Sequence, residues 1–338
     1  MANNPEYKKV LLIRFSAIGD VAMTVPVVQS LALSYPETEF TFLSNARFAP
    51  FFDDMPANFR FLGVDLKKDY HGTAGIRRLF KELKGQGFQA VADFHGVLRT
   101  GMLSFMFRSY GIKVCRINKD RMSRHKLTRA HMKDLTQRKS SFERYHEVLE
   151  ELGFDFSIKF TPLRKPVPEV IGEKECRWIG VAPFAAHAGK IYPLDLMERV
   201  VAMIDASGPC RQFVFAYGKE LDQVSEWARK YKSVEMINPS LGMRGELALM
   251  SNMDVMLAMD SSNMHLASLA GTRVVSVWGA THVAAGFLGY GQKTEDCVQV
   301  DLPCRPCSIY GKKECRYGDY RCMRSISPET IFRKLALK

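Results

Sequence analysis

The sequence predicts two α/β domains, each built on a parallel sheet and joined by a proline-rich link. Three observations carry this expectation. Short apolar, β-branched runs alternate with amphipathic stretches, as repeated βαβ units require. The alternation stops at Leu163-Arg164-Lys165-Pro166-Val167-Pro168, where two prolines oppose both helix and central strand, and then restarts. A length of 338 residues gives room for two domains, each with its own core. The expected organisation is a first domain over 1–163, a linker over 164–172 and a second domain over 173–338 with a Cys-rich end.

In the first half, strands are expected over 10–14, 40–43, 90–94 and 113–117, with helices over 76–84 and 98–108. Residues 118–141 differ in texture: many Lys and Arg, few large apolar residues, so a basic surface loop or a mobile short helix. A helix over 142–152 should end at Gly153, a good C-terminal cap. After the link come a strand over 178–183, a helix over 194–206, a strand over 212–217 and a helix over 221–232. A helix over 245–252, a strand over 255–259, a helix over 263–270 and a strand over 274–278 follow, with a last helix over 328–337. Two such α/β units make a cleft between their sheet ends the expected ligand site.

Apolar content of 46% and charged content of 25% are those of a folded chain. A net charge of +12 calls for an anionic partner (nucleic acid, an acidic membrane surface or phosphorylated molecules) or reflects a solvated basic surface. The apolar run after Lys8-Lys9 is too short for a signal peptide and is closed by Arg14. No stretch approaches the roughly 20 apolar residues of a membrane span. The expected location is the cytoplasm.

Three segments carry candidate chemistry. Arg14-Phe15-Ser16-Ala17-Ile18-Gly19-Asp20 follows the first strand. It lacks the glycine spacing of a dinucleotide-binding turn. Asp20 is either a general base at a strand end or a helix cap, and Thr24 with Pro26 suits a helix start just beyond. Mid-chain, Ala182 to Pro193 is a loop of small residues holding Lys190 just before a helix, an arrangement that suits a diphosphate. Asp260-Ser261-Ser262-Asn263-Met264-His265 ends a strand and opens a helix, so backbone N–H groups, hydroxyls, an acid and a histidine converge. Capping by a hydroxyl or by Asn263 is the structural alternative there. Gly279-Ala280-Thr281-His282 ends the next strand.

Together these segments resemble glycosyltransferase family 9, the ADP-heptose:lipopolysaccharide heptosyltransferases. The likeness rests on 14–26, on Lys190-Ile191-Tyr192-Pro193 and on 260–267 with Gly271 and Gly279. It implies a GT-B fold, two Rossmann-like domains with parallel sheets facing an interdomain cleft. It also implies an inverting, metal-independent transfer of a sugar, typically heptose from ADP-heptose, to a lipid A–Kdo type acceptor of the lipopolysaccharide inner core. By that likeness Asp20 is the base, Lys190 neutralises the leaving diphosphate, and Asp260, Ser261, Ser262 and His265 hold the donor, with Gly279 and Thr281 beside them. Asp222 is the ribose candidate. His95 and Arg99, in Asp93-Phe94-His95-Gly96-Val97-Leu98-Arg99, are acceptor candidates, and peripheral contact with the inner membrane gives the basic residues a use. The chain has no D-x-D triplet, in keeping with a lysine and a helix dipole in place of a divalent metal. It departs from the family at Ala185 and Ala186, where hydroxyls are usual, and at Ser262, where glycine is usual.

Cys115, Cys176 and Cys210 are scattered and read as core thiols. Cys304, Cys307, Cys315 and Cys322 give a C-x2-C knuckle and two further cysteines, which suits either a structural zinc or four reduced thiols. Two rival functions differ in class. A nucleotide-sugar epimerase of the same fold would need no acceptor channel. A basic nucleic-acid-binding protein would show a recognition motif, which the sequence lacks, and would leave 260–265 without a role, so no nucleic-acid partner is expected.

Overall fold

The structure is a computed structural model and describes residues 7–336. They fall into two compact units whose boundaries lie at Asp120/Arg121, Arg138/Lys139 and Thr161/Pro162.

The first unit begins with β1 (Lys9–Ile13), α1 (Ile18–Ala22), α2 (Val25–Ser34), β2 (Glu39–Asn45) and β3 (Phe59–Val64). Next come α3 (Gly72–Lys84), β4 (Ala90–Asp93), α4 (Leu98–Ser109) and β5 (Lys113–Arg116). Its sheet runs in the order β3-β2-β1-β4-β5, all parallel. The apolar run Val10-Leu11-Leu12-Ile13 is wholly buried because β1 is central and covered on both faces. The chain leaves β1 toward β2 on one side and reaches β4 on the other. The carboxyl ends of β1 and β4 therefore form a switch point, where a sheet of this kind opens a crevice.

A short helix, α5 (Arg121–Leu127), lies in the basic segment expected as part of the first domain. Arg121–Arg138 packs instead with the second unit. Its cations find partners there: Lys133 Nζ donates to the carbonyls of Cys304 and Pro306 at 2.7 and 2.6 Å. Arg124 donates to the Tyr310 hydroxyl at 2.6 Å and covers the Phe287 ring. The chain returns to the first unit as α6 (Ser141–Leu152), opened by a Ser140–Glu143 capping box and closed by Gly153 at φ 106°.

The second unit contains β6 (Arg177–Ala182), α7 (Leu194–Asp205), β7 (Cys210–Val214), α8 (Leu221–Lys230), β8 (Val234–Met236) and α9 (Gly242–Met250). Then follow β9 (Val255–Met259), α10 (Ser262–Leu269), β10 (Val274–Val277), β11 (Cys297–Val298), α11 (Arg321–Arg324) and α12 (Pro328–Leu335). The expected last helix stops short of Leu337, which lies outside the described residues. The sheet order β11-β10-β9-β6-β7-β8 is again parallel, with its switch point between β6 and β9. The proline-rich link is seated on this unit: Leu163 N–H donates to Leu269 O and Lys165 N–H to Ser251 Oγ. No helix among the described residues is long and apolar enough to cross a membrane.

Candidate active site

The loop after β1 carries Asp20. It is the third residue of α1, and its carboxylate accepts the backbone N–H of Ala17 at 3.2 Å, so the capping reading of this residue is part of its structure. The same carboxylate pairs with the Arg14 guanidinium at 2.8 Å while its side chain stays 35% exposed. Arg14 is buried and fixed by donating to Phe94 O at 2.5 Å.

Asp93, at the end of β4, is fully buried and organises the neighbouring loop. It accepts the N–H groups of His95 and Gly96, each at 2.9 Å, and the Arg116 guanidinium at 2.9 Å. His95 is thereby set against the β1 loop, with Phe15 N–H donating to Nδ1 and Ser16 Oγ at 3.4 Å from Nε2. Burial, then the Arg14 charge, pushes the His95 imidazole from 6.5 down to about 4, so the ring is neutral near pH 7. Arg99 is exposed in the first turn of α4.

In the second unit the loops after β6, β9 and β10 meet. Lys190 Nζ lies 2.9 Å from Asp260 Oδ2, with the two side chains only 15% and 4% exposed. The Thr281 hydroxyl donates to the same carboxylate oxygen at 2.7 Å and is itself buried. Asp260 thus orients the ammonium at the doorstep of α10, whose first N–H groups have no helical partner. Ser261, the N-cap residue, makes no capping hydrogen bond, and its buried hydroxyl has no partner among the described residues. Ser262 opens the helix and His265 is buried one turn in. An ammonium, a helix start and an unused buried hydroxyl on one corner suit an anion with several oxygens.

Gly279 holds these loops together. A Cβ there would stand 2.6 Å from Gly189 O, so only glycine permits the approach that lets Ala280 N–H donate to Gly189 O. Asp222 is exposed in the first turn of α8.

Two further residues, without a motif of their own, support these loops. Arg305, inside the C-x2-C knuckle, is buried and donates to the carbonyls of Gly279, Trp278 and Thr281 at 2.5, 3.1 and 3.0 Å. Gly311, at φ 75°, lies so close that a Cβ would be 2.7 Å from Lys190 Cγ. An arginine flanked by cysteines in an otherwise polar stretch was the available signal for the first. The second depends on a contact with a residue remote in the chain.

Cys304, Cys307, Cys315 and Cys322 line one cavity of about 20 Å³. All eight cysteines are free thiols. Among the described residues, no group of three or more His, Cys, Asp and Glu side chains is arranged to hold a metal ion. Cys307 Sγ donates toward Ala280 O and Cys315 Sγ toward Asp319 Oδ1. Burial pushes the Cys322 thiol up to about 11, which keeps it protonated.

Residues 76–320 match the model of glycosyltransferase family 9 (heptosyltransferase). The lipopolysaccharide heptosyltransferase 1 of Pseudomonas aeruginosa is 23% identical over 334 residues, covering 91% of this chain and 88% of that protein. The lipopolysaccharide core heptosyltransferase OpsX of Haemophilus influenzae is 31% identical over 97 residues, a match spanning 29% of this chain and 27% of the relative. Among solved structures, the Escherichia coli heptosyltransferase WaaC with ADP superposes with a TM-score of 0.63 at 16% identity, covering 84% of this chain and 92% of that one.

Proposed function

Because the chain belongs to glycosyltransferase family 9 and has the GT-B type of fold, we propose that this glycosyltransferase moves heptose from ADP-heptose to a lipid A–Kdo acceptor. The transfer inverts the anomeric centre and needs no metal. The acceptor hydroxyl loses its proton to Asp20, its oxygen bonds to C1 of the heptose, and the bond from C1 to the β-phosphate oxygen breaks to release ADP. Arg14 fixes the Asp20 carboxylate in position. Lys190, the start of α10 and the Ser261 hydroxyl take up the charge that grows on the leaving diphosphate.

One observation carries the reading: the buried Lys190–Asp260–Thr281 arrangement at a helix start beside an unpartnered hydroxyl. Asp260, Ser262, His265, Gly279 and Thr281 shape that corner around the donor, while His95 and Arg99 face the acceptor's acidic groups. Asp222 is proposed for the ribose by sequence likeness alone. The partner set is completed by peripheral contact with the anionic inner face of the cytoplasmic membrane, where the acceptor resides.

The test is product formation. Incubated with ADP-heptose and Kdo-bearing lipid A in the presence of a chelator, the protein should release ADP and add one heptose with inverted configuration. Transfer from UDP- or GDP-sugars in preference to ADP-heptose, free epimerised sugar as the product, or a strict divalent-metal requirement would overturn it.

A further inference from the structure

α4 is apolar on two sides but covered on only one. Its inner side buries Leu103 and Phe107 in the first unit's core. On the outer side Leu98 is 83% and Phe105 is 70% exposed. They stand two turns apart on one face, with half-buried Met102 between them, and Tyr110 follows at the helix end, 60% exposed. Exposed apolar side chains grouped on one face, rather than scattered singly, mark a contact surface.

The surroundings of this stripe are cationic. α3, which packs beside α4, exposes Arg77, Arg78, Lys81 and Lys84, and α4 itself exposes Arg99 and Arg108. Glu82 is the sole acidic residue of the two helices, and it accepts from the Tyr70 hydroxyl at 2.6 Å. Apolar side chains framed by Lys and Arg match an anionic lipid surface, where the apolar groups enter the acyl boundary and the cations meet the head groups. A second copy of the chain would fit poorly, because a self-paired interface brings the same six cations against one another.

We propose that the outer face of α3 and α4, centred on Leu98 and Phe105, docks the protein onto an anionic membrane. The face stands on its exposure and charge; its purpose, to present the enzyme to a lipid-borne acceptor, rests on the function proposed above.

Co-sedimentation of the full chain with vesicles tests it without any donor. The protein should pellet with phosphatidylcholine vesicles that contain phosphatidylglycerol, less so as salt rises, and not with phosphatidylcholine alone. Leu98→Glu with Phe105→Glu should weaken that partitioning by about tenfold or more. Leu33→Glu, at another exposed leucine, should leave it unchanged. Thermal melts of both variants establish that the fold survives. Absence of binding to the anionic vesicles, equal binding by the double variant, or a solution dimer that the double variant dissolves would each overturn the proposal. Vesicle binding that persists in a protein unable to use ADP-heptose would sink the proposed function and leave the docking face standing.

Discussion

The Asp20 carboxylate meets the Ala17 N–H and the Arg14 guanidinium while staying 35% exposed, and that combination makes it testable. Asp20→Asn keeps an oxygen for the Ala17 N–H but loses the charge that pairs with Arg14. Removal of a general base typically slows turnover by about 100- to 10,000-fold; steady-state kinetics of this variant should show that loss in kcat, with ADP affinity nearly unchanged. Equal losses in kcat and donor affinity would assign Asp20 a structural role. His95 yields a pH prediction. Its folded value of about 4 lies below the ordinary 6.5, so the unfolded chain binds the extra proton and stability is lost as pH falls from about 6.5 toward about 4. Melting temperatures across that window should fall in the native protein and fall less in His95→Gln. An identical pH slope in the two proteins would contradict this.

At the scale of elements, the central strands were legible because burial on both faces leaves a continuous apolar run, as in β1 and in β9, predicted with its boundaries intact. The sequence reading missed β3, β8 and β11, all edges of their sheets, where strands are half-exposed or only two or three residues long. α1 was hidden inside a loop because five residues give no periodicity. The candidate site was legible where polar residues follow a strand, as with Lys190, Asp260 and Thr281, whose side chains meet in space. It was illegible where a remote segment supplies packing. Gly311 is such a case, and Gly311→Ala should push on the Lys190 stem and also strain a left-handed backbone position. The expected outcome is ADP binding weaker by about tenfold, with a destabilisation of about 1 kcal/mol visible by denaturant melts. Unchanged ADP affinity would show that Lys190 has room to move. α6 supplies a control without bearing on the site: Ser140→Ala removes its N-cap and should cost about 1 kcal/mol of stability.

For the molecule as a whole, the net charge of +12 is divided between uses that the sequence alone could not separate. Arg124, Lys133 and Arg138 bond within the second unit, so much of the basic segment is structural rather than a reserve for anions. Arg14 and Lys190 serve the two candidate corners, and the α3–α4 cations remain on the surface. Raising the ionic strength should therefore raise the KM for a phosphorylated lipid acceptor more than the KM for the donor, because the Lys190 corner is buried and the α3–α4 cations are exposed. Kinetics at several salt concentrations would decide; equal sensitivity of the two constants would contradict this division.

In the proposed reaction Lys190, set by Asp260 at the start of α10, holds a nucleotide diphosphate. Calorimetric titration of ADP into the native protein and into Lys190→Met measures it most directly. The expected result is saturable one-to-one binding to the native chain and about 100-fold weaker binding to the variant, the loss of one charge-assisted contact. Equal affinity in the two proteins, with both folded, would contradict it.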